Sequence, residues 1–293
     1  MIASDWQLAR LREDVRRLAG DIGERNFYRY PQLAEAAELI EHWMREAGYT
    51  PARQEYEARG KRFANLEVEI PGAAAPAAKE VVVVGAHYDT GRGSPGANDN
   101  GSGVAALLAL ARAFAGEPVA RTLRFVAFTN EERPLLRTKK MGSRVYAMRC
   151  RERGESVAGM VCLETIGYRS ESKWSQRLSL FGLVAPRAGN FIAFVGNRRS
   201  RELLHGAAAS FRRRARVPCE TFTLPTNFPG AWSSDHWSFW QEGYPALMVT
   251  DTAPLRYPYY HKPEDTPDKL DYEFLGGVVA GLRGVVSDLV AAT

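Results

Sequence analysis

Five short stretches of this chain place imidazole or carboxylate groups where an apolar run stops. In "GAHYDT", His87 and Asp89 stand two apart at the end of a β-branched run, so both side chains leave an extended strand on the same face. That spacing suits a metal-binding imidazole whose second nitrogen is steadied by a carboxylate. Alone, it equally fits a hydrogen-bonded structural histidine. In "SPGANDNGSGV", Asp99 lies in a Gly- and Asn-rich loop just before an apolar helix. Such a loop needs an Asx turn or a helix cap, which Asn98, Asn100 or Ser102 can supply, leaving Asp99 for other work. "RFVAFTNEERPLL" ends an apolar strand on adjacent Glu131 and Glu132, where repulsion and desolvation both cost free energy unless water covers them. "VCLETIGY" closes another apolar run on Glu164, and "YPYYHKPED" sets His261 in a Pro- and Tyr-rich loop, flanked by Asp265 and Asp268.

Each piece has a bland reading; the set does not. His87, His261, Asp99, Glu131, Glu132 and Glu164 fall at the ends of successive strands, so the topology brings two imidazoles and four carboxylates to one place. Carboxylates gathered in a cleft need cations, and N/O ligands without thiolates suit zinc or a related divalent ion. Cys150, Cys162 and Cys219 are widely spaced and form no CxxC pair, which excludes a disulfide framework and a thiolate zinc site. Adjacent residues of an extended strand point to opposite faces. Glu131 and Glu132 can serve one site only where the strand has broken into a loop, as Asn130 and Pro134 suggest.

The elements that must position these groups follow from periodicity. "WQLARLREDVRRLAGDI" carries Leu8, Leu11, Val15 and Leu18 on one helical stripe, and "YPQLAEAAELIEHWMREAGY" repeats the pattern. Strands are predicted near 52–57 and 65–70, followed by a surface turn with a hairpin-like excursion at "PGAAAPAAKE". From residue 81 strand and helix alternate: "VVVVGAHYD", "GVAALLALARAFA", "TLRFVAFT", then strands "GMVCLE", "RLSLFG", "NFIAFVG" and "YPALMVT". Helices are predicted at 200–215, 235–242 and 272–291. This alternation implies a three-layer α/β/α architecture with a central mixed, mostly parallel sheet, and one domain over residues 1–293. In such sheets the ligand site lies at the carboxyl ends of the strands, where these polar residues collect.

Composition narrows the classes. The chain has 293 residues, 45% apolar and 25% charged, ordinary globular values that exclude disordered and fibrous proteins. The longest apolar stretches are too short and interrupted to span a bilayer, so no membrane partner is expected. The N-terminal segment has no apolar signal region, which makes a cytoplasmic location the expectation. The net charge of +5 resides in stretches such as "GNRRSRE" and "SFRRRARVP", which lack aromatic interleaving and read as solvated helix faces, with no nucleic-acid partner.

In order, the motifs "AHYDT", "GANDNGSGV", "TNEE", "LETIGY", "SDHWSFWQEGYPALMVTDT" and "YHKPEDTPDKLDY" make the chain resemble the dizinc aminopeptidases of the bacterial leucyl aminopeptidase type. Glutaminyl cyclases are related to that peptidase family. The resemblance runs from about residue 10 to the C-terminus, and as a set its motifs are highly specific. It implies a zinc metallohydrolase, an exopeptidase whose partner is a peptide with a free N-terminus. By the same resemblance His87 and Glu164 would bind one zinc, Glu132 and His261 the other, and Asp99 would bridge them. Glu131 would be the general base, Asp89 the partner of His87, and the Asp99–Asn100 peptide would be cis.

Two positions depart from the family pattern: Glu164 stands where Asp is usual, and "GAWSSDH" offers Trp232 where some members carry an oxyanion-stabilising tyrosine. Asp235 and His236 match the family motif and would line the pocket, whereas His42 and His205 lie outside it. In "RPLLRTKKMGS", Leu135 and Leu136 suggest an apolar side-chain site, while Arg137, Lys139 and Lys140 either favour acidic groups or face water. The competing readings are a glutaminyl cyclase-like acyltransferase working with one zinc, and a non-catalytic binding protein that keeps the fold.

Overall fold

The computed structural model describes residues 5–176, 188–226, 228 and 234–291; the segment "RLSLFG" and Trp232 fall outside the described residues. The strands are β1 (Ala52–Ala58), β2 (Lys61–Ile70), β3 (Glu80–His87), β4 (Thr122–Phe128), β5 (Ser156–Glu164), β6 (Ile192–Gly196), β7 (Cys219–Thr223) and β8 (Ala246–Thr250). The helices are α1 (Asp5–Val15), α2 (Tyr30–Glu46), α3 (Gly103–Phe114), α4 (Gly142–Glu152), α5 (Arg201–Arg214), α6 (His236–Gln241), α7 (Ala253–Arg256) and α8 (Tyr272–Val290). The eight strands join in one sheet, ordered β1-β2-β4-β3-β5-β8-β6-β7.

The middle of that order, β4-β3-β5-β8, is parallel throughout. His87 stands opposite Phe128 and Glu164 opposite Thr250, so the four strands end together at one edge. Antiparallel pairs lie outside this block, between β1 and β2, β2 and β4, and β6 and β8. The run Val81–Val84 explains why β3 is central. Val82, Val84 and Ala86 enter the core under α1, α2, α3, α5 and α8, while Val81 and Val83 enter a second core under α4 and α6. A strand buried on both faces reads as a continuous β-branched run, and this one does.

One local expectation differs from the structure, and three features add to the sequence reading. "PGAAAPAAKE" is not a hairpin, because β2 and β3 do not pair; β4 lies between them, antiparallel to one and parallel to the other. The strand β7 and the helix α4 carry weak patterns. β7 is a short, half-buried edge strand, and α4 buries only Tyr146, Ala147 and Cys150 beyond its first turn. The first helix continues from α1 into a π-helical turn over Arg16–Ile22, closed by Gly23 N donating to Leu18 O at 3.0 Å.

That π turn delivers Arg25, a residue without solvent exposure. Its Nε donates to Tyr88 O (2.7 Å), Nη1 to Leu18, Gly23 and Pro95 O (3.1, 3.0 and 2.7 Å), and Nη2 to Gly96 O (3.1 Å). One guanidinium thus ties the end of the first helix to the loop after β3 and to the loop that carries Asp99. Burial pulls its pKa down to about 10, opposed by the nearby Asp265, Asp89 and Asp99 charges, so it stays cationic at neutral pH.

Two outcomes follow. A Cβ on Gly85 of β3 would stand 2.3 Å from Phe128 Cε2, inside the second core. Gly85→Ala is expected to lower stability by about 1–3 kcal/mol, read as a lower urea midpoint with an unchanged slope. Arg25→Met strands five carbonyls, two of them only partly buried, and should cost about 3 kcal/mol or more. An unfolding midpoint equal to wild type would contradict the tie, and Arg25→Lys, lacking the planar fork, should restore only part of it.

Candidate metal centre

His87, the last residue of β3, is buried with its Nε2 3.4 Å from Asp99 Oδ1 and 3.2 Å from Glu164 Oε2. Its Nδ1 lies 3.1 Å from the carbonyl oxygen of Asp89 and 3.6 Å from the carboxylate Oδ1. The Asp89 carboxylate is mainly engaged elsewhere: Oδ1 accepts from Glu131 N (3.1 Å) and Oδ2 from Glu132 N (3.0 Å). Asp89 therefore steadies His87 chiefly through its backbone and uses its side chain to set the position of both glutamates.

Those glutamates occupy a broken strand end, as Asn130 and Pro134 suggest in the sequence. β4 stops at Phe128, Asn130 has φ +58°, and Leu135 N and Leu136 N turn back onto Glu132 O, each at 3.1 Å. The pair then divides. Glu132 Oε1 meets His261 Nε2 at 2.8 Å, whereas Glu131 Oε2 faces the other imidazole, 4.0 Å from His87 Nε2.

Asp99 is held by its neighbours. Asn100 takes the capping work, with Oδ1 accepting from Gly103 N (3.2 Å) and Thr165 N (3.1 Å) and Nδ2 donating to Leu163 O (2.9 Å). Asp265 accepts from Asn98 N (2.8 Å), Asp99 N (3.2 Å) and the Tyr257 hydroxyl (2.7 Å). The Asp99–Asn100 peptide is cis. The Asp99 carboxylate so placed presents Oδ1 to His87 and Oδ2 to His261 Nε2, the latter at 2.9 Å.

Glu164 closes β5, and its longer side chain reaches the cluster while Oε2 accepts from Ser234 Oγ at 2.5 Å. His261 is stacked on Tyr260 with ring centroids 4.0 Å apart, and 40% of its side chain is exposed, which makes it the open side of an otherwise closed centre. Asn130, Thr165 and His261 all have positive φ (+58°, +46° and +54°). Left-handed backbone at non-glycine residues is costly and collects at functional sites.

The electrostatics are those of a carboxylate cluster. Burial raises the Glu131 carboxyl well above the ordinary range; His87 opposes this, and Glu132 and Glu164 add to it. Burial likewise raises Glu132, opposed by His261. Asp99 goes the other way: burial would raise it, but hydrogen bonds from His261 and His87 hold it below its usual value. Both imidazoles are pushed up against the effect of burial, His87 by Glu164 and Glu131, and His261 to about 11 by Asp99 and Glu132.

The donor set fits zinc. Among the described residues, ligating atoms form two groups, His87–Asp99–Glu164 and Asp99–Glu132–His261, with all atoms of a group within 4.8 Å of one another. The ligands of a tetrahedral zinc, each ~2.0–2.1 Å from the ion, stand about 3.3 Å apart. The first group matches at 3.4 and 3.2 Å, and the second is drawn to hydrogen-bond distance at 2.9 and 2.8 Å. His87 Nε2, Asp99 Oδ1 and Glu131 Oε1 are buried with no hydrogen-bond partner, a condition a cation relieves.

The other residues singled out in the sequence lie outside both ligand groups. Asp235 and His236 are buried at the start of α6, outside both ligand groups, and burial lifts Asp235 to about 7 against the pull of His87. His205 is exposed on α5, and His42 is a surface residue 3.3 Å from Glu46. Leu135 is buried and Leu136 half-buried. Three groups that build the site carry little sequence signal. Arg25 is one basic residue in a polar loop, and Asp265 reads as a mere flank of His261. Asp251, whose Oδ2 accepts from Asn98 Nδ2 and Tyr168 N (both 2.9 Å), does end a strand as Glu164 does, and that position could have marked it.

A family model for peptidase family M28 matches residues 65–286, which include every ligand of both groups. The chain is 32% identical over 282 residues to YfbL of Escherichia coli, an uncharacterized protein, covering 93% of this chain and 85% of that one. It is 29% identical over 226 residues to probable leucine aminopeptidase 1 of Trichophyton verrucosum, covering 72% of this chain but only 54% of that protein, so it spans about half the length of this relative. Among solved structures, the zinc aminopeptidase BSAP of Bacillus subtilis matches with a TM-score of 0.77 at 16% identity, over 97% of this chain and 95% of that one. At that identity the likeness concerns the fold, and the family model carries the assignment: the chain belongs to peptidase family M28.

Proposed function

We propose that this chain removes the N-terminal residue of peptides, using two zinc ions held on either side of Asp99. Its family and the aminopeptidases among its relatives support a metal-dependent aminopeptidase. The observation that carries the two-ion arrangement is the shared Asp99 carboxylate, with one oxygen in each ligand group. His87 and Glu164 would hold one ion and His261 and Glu132 the other. A cyclase-like centre working with one ion would leave half of this donor set without a task.

Zinc in such a site lowers the pKa of water and polarises a carbonyl oxygen. The chain's own residues supply the rest. Glu131 belongs to neither ligand group, and its free carboxylate takes the proton from the attacking water and returns it to the leaving amine, a shuttle worth about 10²–10⁴-fold. Burial raises the Glu131 carboxyl, which makes its carboxylate a stronger proton acceptor. Asp89, gripping the amides of Glu131 and Glu132 together, fixes the offset between proton carrier and ligand. The exposed His261 edge is where a peptide enters.

Glu131→Gln should keep its metal content and lose turnover by about 10²–10⁴-fold or more. Assay on aminoacyl-arylamides with metal analysis of the same preparation checks both halves, and a fully active variant contradicts the role given to Glu131.

A further inference from the structure

The strand break that carries the two glutamates is held from three sides, and one hold comes from the edge of the sheet. Before the break, Thr129 N donates to Asn65 Oδ1 of β2 at 3.2 Å, and Thr129 O accepts from Gly142 N at 2.8 Å. After it, the Asp89 carboxylate accepts from the amides of Glu131 and Glu132. Between them Asn130, buried and at φ +58°, donates from Nδ2 to the Tyr56 hydroxyl of β1 at 2.9 Å. We propose that Tyr56 is a positioning residue for the proton carrier: through Asn130 it fixes the turn that aims Glu131. This rests on the role given to Glu131 and adds the residue that sets its geometry.

The register explains how an edge strand reaches the site. In the β2–β4 ladder Leu66 stands opposite Ala127, so the same register continued past the strand end brings Phe63 level with Asn130. Phe63 pairs with Tyr56 in the β1–β2 ladder, which puts Tyr56 two strands across from the break. Neighbouring strands lie ~4.7–4.9 Å apart, a gap that a tyrosine and an asparagine side chain bridge together. The half-buried Tyr56 ring lies 6.0 Å from that of Phe63, which stacks on Phe27 at 6.1 Å and takes the Tyr30 ring edge-on at 5.6 Å. An aromatic cluster thus backs the hydroxyl. All four residues precede residue 65, where the family match begins.

Asparagine tolerates left-handed backbone better than most residues, but tolerance alone does not select that conformation. The bond to Tyr56 selects it. Rotating residue 130 out of the left-handed region would carry Nδ2 away from the hydroxyl and swing Glu131 against its hold on Asp89. Burial raises the Tyr56 hydroxyl well above its ordinary range, against the Asn130 hydrogen bond, so it meets Asn130 as a neutral group. A misplacement of about 1 Å in a reacting group can cost 10²-fold in rate, so a modest loosening of this turn is visible in turnover.

The test is a double-mutant cycle of Tyr56→Phe, Asn130→Gly and the pair, assayed on leucyl-arylamide with metal analysis. Tyr56→Phe keeps the ring, and Asn130→Gly keeps access to positive φ. Each single variant should lose about tenfold in kcat, with KM and zinc content at wild-type values. The double variant should be no slower than the slower single one, because both changes remove the same bond. Wild-type kcat in Tyr56→Phe, or losses that multiply in the double variant, overturns the proposal. A loss carried by KM or by zinc content overturns it too, since the effect would then fall on substrate or ligands. Hydrogen exchange over residues 129–136 gives a readout free of turnover, and it should quicken in Tyr56→Phe while β3 and β5 keep wild-type protection. Should wild type cleave no arylamide, or Glu131→Gln cleave it at full rate, the reading of the site falls and quickened exchange leaves the tie standing. Unchanged exchange sinks the tie itself.

Discussion

The Asp99 carboxylate faces an imidazole through each of its oxygens, and the centre is organised around keeping it between them. A buried carboxylate pulled toward its charged form by two neighbours needs a rigid frame, since a small displacement would surrender one neighbour to the other. The frame is largely backbone-directed. Asp265 takes the amides of Asn98 and Asp99, Asn100 takes those of Gly103 and Thr165, and Arg25 collects the carbonyls of the two loops around them. Each polar group there satisfies a main-chain partner, which is how an irregular loop survives burial.

The sheet makes the convergence affordable in geometric terms. Four adjacent parallel strands, β4-β3-β5-β8, end at one edge, and their ends or the loops beyond them supply Glu131 and Glu132, His87, Glu164 and His261. Buried like charges repel, and the response is visible in the raised Glu131 and Glu132 carboxyls. Adjacent glutamates avoid a shared fate because the strand has already broken at Asn130 and the Asp89 carboxylate grips both amides, sending one side chain to each imidazole.

Much of this was legible in the residues themselves. Charges at the ends of apolar runs are costly enough to advertise a purpose, so His87, Glu131, Glu132, Glu164 and His261 stand out, and the β-branched run before His87 announces a doubly buried strand. Less visible were features whose cause is tertiary. Nothing local tells that β4 inserts between β2 and β3, because strand order depends on which connections cross the sheet. Arg25 makes contacts with residues up to 71 positions away, beyond any pattern of spacing. The Asp89 side chain was expected on His87 and mostly serves the backbone of the next strand end, a choice set by where the broken β4 comes to rest.

The central claim is that one carboxylate organises two metal positions. Calorimetric titration of zinc into metal-free protein tests it most directly, alongside Asp99→Asn and with metal analysis of the titrated samples. The account predicts two equivalents per chain in wild type and at most one tightly held in the variant. A single equivalent in wild type, or two retained without the Asp99 carboxylate, would contradict it.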